Sequence, residues 1–398
     1  MRDELVYRGD NSHTYAMSIA ATWVWAPAIF VASNMAYYSG LYGFLWFLIP
    51  NFLTLMLFGY FAQKFVLEKG KEHFVGLTDL FEGNKKQESL HSVVSVMLLV
   101  ASTCVQILGL HALLQVYVPD ISLLMSACLI SAFCYVYTKM GGIKACIVSD
   151  KYKYVLMLLI GLLLVWTSYQ DCDVSKINFF GLNNPSFIDV SLSFGIISAI
   201  GHFGAPYVDN TFWQRVFSLK KDEVFSTFIK SAIYFLLIPV CFGLVGFFNS
   251  PLAEQGWIIT KAFEGGFTTA CLSVAIFCAL IATIDSNLCA IHSLAHKTVG
   301  KIPAMEVLLA ISVLVVSYFE PTIVQMFLIY GTVRTATSIP TVLIIYDKFD
   351  KERLFWVTLC AVMIGGVGYV TMALNGLPYG FIFTIFALLC PLIGYKYR

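Results

Sequence analysis

Asp285 stands in the run Ala282-Thr283-Ile284-Asp285-Ser286-Asn287, with apolar stretches on both sides. A carboxylate and hydroxyls beside backbone carbonyls form an oxygen-rich ligand set that suits a hard monovalent cation. The alternative is a helix-packing contact through small polar residues. Asp150 and Lys153 are three residues apart, so a helix places them on one face. They read either as part of a cation site or as an interfacial ion pair with snorkelling lysines. Asp209 opens Asp209-Asn210-Thr211-Phe212-Trp213-Gln214-Arg215. Arg215 is expected at the membrane interface, with Asp209 deeper and paired to it or to Lys230. Arg334, in Gly331-Thr332-Val333-Arg334, needs an acidic or carbonyl partner that the sequence does not name. His202 is read equally as a satisfied interior ring or a ligand contact.

Such groups are functional candidates because of what surrounds them. Of 398 residues, 59% are apolar and only 12% charged, and the mean hydropathy is +0.78. That excludes a set of ordinary soluble domains and a disordered chain. Lysine plus arginine (25) nearly cancels aspartate plus glutamate (24), so no nucleic-acid-binding face is implied. The 11 cysteines form no CxxC pair. Zinc-ligand, nucleophile-elbow and P-loop motifs are absent, which argues against an enzyme and against a cofactor. No short cleavable leader precedes the first apolar stretch.

Turn residues and charge clusters divide the chain into twelve apolar segments: 14–38, 41–66, 90–118, 120–139, 142–168, 190–218, 222–248, 269–297, 302–319, 321–346, 353–374 and 378–396. Each approaches or exceeds the ~20 residues needed to cross hydrocarbon, where the backbone must bond to itself in a helix. The expected fold is an all-α polytopic membrane protein of about 12 spans, occupying residues 1–398 as one domain. With a cytoplasmic N-terminus, only Lys176 and Lys261 fall on the far side, and Lys230 and Arg334 lie within spans. This asymmetry predicts a multi-pass protein of the plasma or inner membrane with both termini cytoplasmic.

Two spans carry helix breakers. Pro27 interrupts the first, and Gly201, Gly204 and Pro206 loosen the sixth. Interruptions five spans apart point to an inverted-repeat transporter, although membrane helices also tolerate simple proline kinks. The first repeat would be 14–168, the second 190–346, and 353–396 two additional helices.

The segments Ser18 to Trp23, Gly141-Gly142 with Ser149-Asp150, Asp209 to Arg215, and Thr283-x-Asp285-Ser286 occur in the order and spacing of the sodium:solute symporter family, which the chain resembles over about residues 14–346. Trp23-Val24-Trp25-Ala26 and Gly201 to Arg215 look most like its urea active transporter branch. The resemblance implies a LeuT-like fold of 5+5 inverted repeats plus two C-terminal helices. It also implies symport of a small polar solute with sodium as coupling ion. The principal sodium site would use carbonyls of Ala20, Trp23 and Ala279 with the side chains at Ala282 and Thr283. Asp150 and Asp285 would serve a second cation. Trp25, Ala26, Pro27, His202 and Phe203 would touch solute, with Asp209, Asn210 and Phe212 beneath.

Three features depart from the family pattern. Many members carry serine where this chain has Ala282, many carry glutamine where it has Lys153, and the family's usual extra first helix has no counterpart here. The lysine could stand in for sodium, so a proton-driven carrier using Asp150 and Lys153 is the competing expectation. A non-transporting sensor or partner subunit on the same fold is a third.

Overall fold

The computed structural model describes residues 7–70, 74–81, 84–173, 175, 177–249, 266–298, 303–345 and 355–364. Its elements are α1 (Ser12–Trp23), α2 (Ala26–Lys69), α3 (Lys85–Tyr117), α4 (Leu123–Asp171), α5 (Phe187–Val190), α6 (Ile196–Val208), α7 (Asn210–Ser218), α8 (Val224–Phe248), α9 (Gly266–Thr298), α10 (Ala304–Phe319), α11 (Ile323–Ile345) and α12 (Phe355–Ile364). No strand occurs among the described residues. Five segments are each long and apolar enough to cross a membrane: Ala28–Phe65, Lys85–Tyr117, Phe187–Val208, Lys221–Phe248 and Gly266–Ala295. The expected last span, 378–396, lies outside the described residues, as does the end of the eleventh.

Local chemistry sets the boundaries. Asn11, Asn84 and Ser122 each accept a hydrogen bond from the backbone N–H three residues on, capping α1, α3 and α4. Ser186 and Asp189 form a reciprocal capping box at α5. At 1.5 Å per residue, the 44 residues of α2 and 49 of α4 would run about 65–75 Å, twice a bilayer core. Each is in fact two helices hinged at a glycine with positive φ, Gly40 (+61°) and Gly142 (+56°). The joints match the expected boundaries 38/41 and 139/142. At the first, the extended loop over 178–184 is strapped onto the kink: Leu41 N–H donates to Phe179 O, Leu182 N–H to Tyr37 O and Asn183 N–H to Tyr38 O. Gly40 and Gly181 meet so closely there that no Cβ fits on either.

The breaks lie elsewhere than the breakers suggest. The first span stops at Val24, whose N–H still donates to Ala20 O, and resumes at Ala26. Pro27 thus sits in the opening turn of α2, where its missing N–H costs nothing. The correction in the sixth span is larger. Gly201 to Pro206 lie inside the continuous helix α6, and the chain breaks at Asp209 (φ −96°, ψ 114°). Gly204 serves packing instead. A Cβ at Gly204 would lie 3.0 Å from Ser338 Oγ, so its smallness brings α11 close, whereas one at Gly201 would make an ordinary contact, 3.6 Å from Gly331 Cα.

In the bundle α2 runs along α8, α9 along α4, and α11 along α6, while α1 lies between α4, α8 and α9. One apolar core joins them. Many large apolar side chains of these helices are exposed, among them Leu124, Phe133, Leu159 and Trp166, as on a hydrocarbon-facing surface.

Candidate functional site

The two breaks face one another. The Trp23 ring at the end of α1 lies edge-on to Phe212 of α7 (centroids 5.2 Å) and to His202 of α6 (6.2 Å). Between them opens a small cleft with a cavity volume of about 20 Å³. That is little more than the ~10–15 Å³ that one water needs, so in this arrangement the cleft admits a solute only by widening. Thr22, Trp23 and Trp25 line it from the first break, and Asp209, Thr211 and Phe212 from the second. Ser102 of α3, Thr283 and Asn287 of α9, and Tyr330 and Arg334 of α11 complete the wall.

Asp209 does two jobs at the second break. Its Oδ1 accepts from Thr211 N–H (3.0 Å) and Thr211 Oγ1 (2.7 Å), capping α7. Its Oδ2 accepts from Arg334 Nη2 (3.1 Å) and Tyr330 OH (3.3 Å). Arg334 is therefore the partner of Asp209, in place of the expected Arg215 or Lys230; the Lys230 ammonium instead donates to Ser12 Oγ at 2.8 Å. The guanidinium of Arg334 lies 3.3 Å from the Tyr330 ring centroid and 5.9 Å from that of Trp25.

Next to the cleft is a second polar centre. Lys153 Nζ sits between Asp150 Oδ1 (3.1 Å) and Asp285 Oδ2 (2.5 Å). Both carboxylates are fully buried. Arg215, expected at the interface, is only 2% exposed. It reaches Asp150 Oδ2 (3.3 Å), Ser18 Oγ (3.1 Å), Thr22 Oγ1 (2.8 Å) and Ser286 Oγ (2.9 Å), and Thr211 O (2.9 Å). Ser18 Oγ also donates to Asp150 Oδ2 at 2.7 Å. Two acids and two bases thus balance inside the bundle, as buried charges must. Thr22 and Thr211 join this centre to the cleft, since each lines the cleft and accepts from Arg215.

The sites expected from the sequence are partly assembled. Thr283 Oγ1 bridges α9 to α1, 3.3 Å from Ala279 O and 3.4 Å from Thr22 O. Ala20 O takes the Val24 N–H, and Ala282 O takes the Ser286 hydroxyl at 2.8 Å. Asp150 and Asp285 do come together, yet the chain's own ammonium lies between them. Among the expected solute contacts, Trp25, Asp209 and Phe212 line the cleft. His202 packs behind Trp23, with Nδ1 on Ser198 O at 2.6 Å. Phe203 and Asn210 are not among the lining residues. Asn210 is instead a buried joint: its Oδ1 accepts from Leu77 N–H (2.8 Å), and its Nδ2 donates to Ala290 O (3.1 Å) and Ser293 Oγ (3.3 Å). The side chains of Ala26 and Pro27 lie outside the described residues. Ser102, Tyr330 and Asn287 were not anticipated. Only the mid-span position of Arg334 signalled that α11 would reach the cleft.

No protein-family model matches this chain. Over 258 residues it is 22% identical to the urea-proton symporter DUR3 of Oryza sativa subsp. japonica, a stretch covering 56% of this chain and 36% of that protein. The chain thus matches about a third of that relative's length. The fold is similar to a substrate-bound, outward-open Na+-coupled sialic acid symporter (TM-score 0.68, 18% identity, 98% of this chain and 91% of the other). It is also similar to the Eremococcus coleocola manganese transporter (0.62, 11%, 96% and 92%). A third likeness is to the nucleobase-cation-symport-1 transporter Mhp1 with bromovinylhydantoin bound (0.59, 14%, 97% and 92%). These proteins are transporters, not enzymes. The fold is accordingly that of the LeuT-type membrane transporters, all-helical among the described residues, as a multi-pass membrane protein requires.

Proposed function

We propose that this protein is a secondary active transporter that moves a small polar solute by alternating access, in symport with a cation, across the plasma or inner membrane with its termini cytoplasmic. The observation that carries the reading is the meeting of two interrupted helices, at Val24–Trp25 and at Asp209, around one small polar and aromatic cleft. Half-helix ends expose N–H and C=O groups that can bind a polar solute without separate charged ligands. The bundle carrying both breaks would rock against the rest. The cation drives the cycle only if one arrangement binds it more tightly than the other.

Sodium at Ala20, Trp23, Ala279 and Thr283 is the coupling that the sequence resemblance implies. One observation favours the proton-driven reading: Lys153 holds its ammonium between Asp150 and Asp285, where a second sodium would otherwise sit. The relative named as a urea-proton symporter accords with that choice.

Uptake into proteoliposomes tests both readings, using a panel of small amides, polyols and amino acids under a sodium gradient, a pH gradient or neither. The expected result is uptake accelerated by an inward proton gradient and indifferent to sodium. Sodium-driven uptake without a pH effect would restore sodium coupling. Solute binding with no flux under any gradient would replace the carrier by a sensor or partner subunit.

A further inference from the structure

Two hydrogen-bond donors at the cleft lack partners. Arg334 Nε and the indole Nε1 of Trp23 are buried and unbonded, on side chains 5% and 4% exposed that both line the cleft. Buried donors are satisfied in nearly all folded proteins, so two at one cavity mark the place of a ligand's acceptor atom. Asp209 is the reverse case. A carboxylate offers about four acceptor positions, and four donors, from Thr211 (N–H and Oγ1), Tyr330 and Arg334, already occupy it. The cleft therefore presents donors and no spare carboxylate lone pair. Its formal charge is nonetheless zero, because Asp209 cancels Arg334. The face of Tyr330 holds the guanidinium in place.

We infer that the Asp209–Arg334 pair is the charge-selecting element of this cleft. Arg334 and Trp23 donate to an acceptor oxygen of a net-neutral solute. Asp209 is a positioning residue: it cancels the guanidinium charge and so removes the attraction for carboxylates and other anions. An anion would add an unpaired charge to a water-poor site, and a cation would meet a guanidinium with no free acceptor beside it. The inference rests on the cleft being the solute site, and it concerns binding alone.

Thermal stabilisation of the purified full chain by three isosteric probes tests it: acetamide (neutral), acetate (anion) and acetamidinium (cation). The expected wild-type response is stabilisation by acetamide over both ions. Asp209→Asn keeps a side chain suited to the α7 cap and leaves the guanidinium uncompensated. Its acetate-to-acetamide affinity ratio should rise by about tenfold or more. Arg334→Gln should lose acetamide and gain acetamidinium, and this arm decides alone if Asp209→Asn does not fold. Acetate stabilising the wild type as well as acetamide, or no gain of ion binding in the folded variants, overturns the inference. The same outcome follows if none of the probes acts on any form. Reversed selectivity without proteoliposome uptake would sink the carrier reading and leave charge selection standing; uptake without reversal would do the opposite.

Discussion

Replacing Lys153 by glutamine is the sharpest perturbation of the ion cluster. Among the described residues, Lys153 is the one charged partner of Asp285, at 2.5 Å, and it shares Asp150 with Arg215. Both carboxylates are fully buried and the lysine side chain is 12% exposed, so solvent screens the pair weakly. At an effective dielectric constant of 20, unit charges ~3 Å apart attract by about 5 kcal/mol. Removing one partner of a buried pair typically costs about 3–5 kcal/mol, because the remaining charge is stranded. The two figures agree, so Lys153→Gln should lower stability by about that amount. The vacated space between Asp150 and Asp285 is a two-carboxylate, oxygen-rich site of the kind hard cations occupy. Sodium at 100 times its dissociation constant would return about 2.7 kcal/mol. The assay is thermal unfolding in detergent with NaCl, KCl or choline chloride at equal ionic strength. The wild type should ignore the identity of the cation, whereas the variant should be destabilised and recover in sodium. Lys153→Gln combined with Asp285→Ser should be less destabilised than Lys153→Gln alone and respond less to sodium. A variant as stable as the wild type, or one blind to sodium while the wild type responds, would refute the view that Lys153 stands in for the ion. Lys139→Gln, which breaks the solvent-exposed pair with Glu306, should move the midpoint little and serves as the control.

Three further outcomes are expected. Asp150→Asn should destabilise the protein by about 3 kcal/mol by leaving Lys153 and Arg215 under-compensated, whereas Thr283→Ala should cost only about 1 kcal/mol by removing a neutral contact between α9 and α1; equal melting points would contradict the ranking. Asn210→Ala should strand the Leu77 N–H and cost about 1–3 kcal/mol, visible as faster hydrogen exchange at Leu77. Gly40→Ala should destabilise by more than ~1 kcal/mol, because φ is +61° and the new Cβ would clash with Phe179 O; an unchanged midpoint would mean that the strapped kink is not needed for stability.

Composition and breaker residues made much of this architecture legible. Lipid satisfies no backbone group, so a chain this apolar must be helical wherever it crosses, and the joints at Gly40 and Gly142 follow from residues that accept positive φ at no steric cost. The three-residue spacing of Asp150 and Lys153 is likewise local, and it appears as an ion pair of 3.1 Å. The sixth span shows where local reading stops. Gly201, Gly204 and Pro206 look like the break, yet Gly204 serves close approach to α11, and the helix opens at Asp209, where capping and an ion pair compensate for the lost backbone bonds.

What tertiary structure alone decided is which charge meets which. Arg215 passes the interface to reach Asp150, 65 residues away; Lys153 meets Asp285 across 132 residues; Arg334 meets Asp209 across 125. A buried charge requires a counter-charge, and that much can be read from the chain. The identity of the partner depends on helix packing: α1 lies between α4, α8 and α9, and α11 lies against the small residues of α6. Attraction between charges within a low-dielectric bundle falls with distance in space and is indifferent to separation along the chain, so only the folded arrangement can assign the pairs.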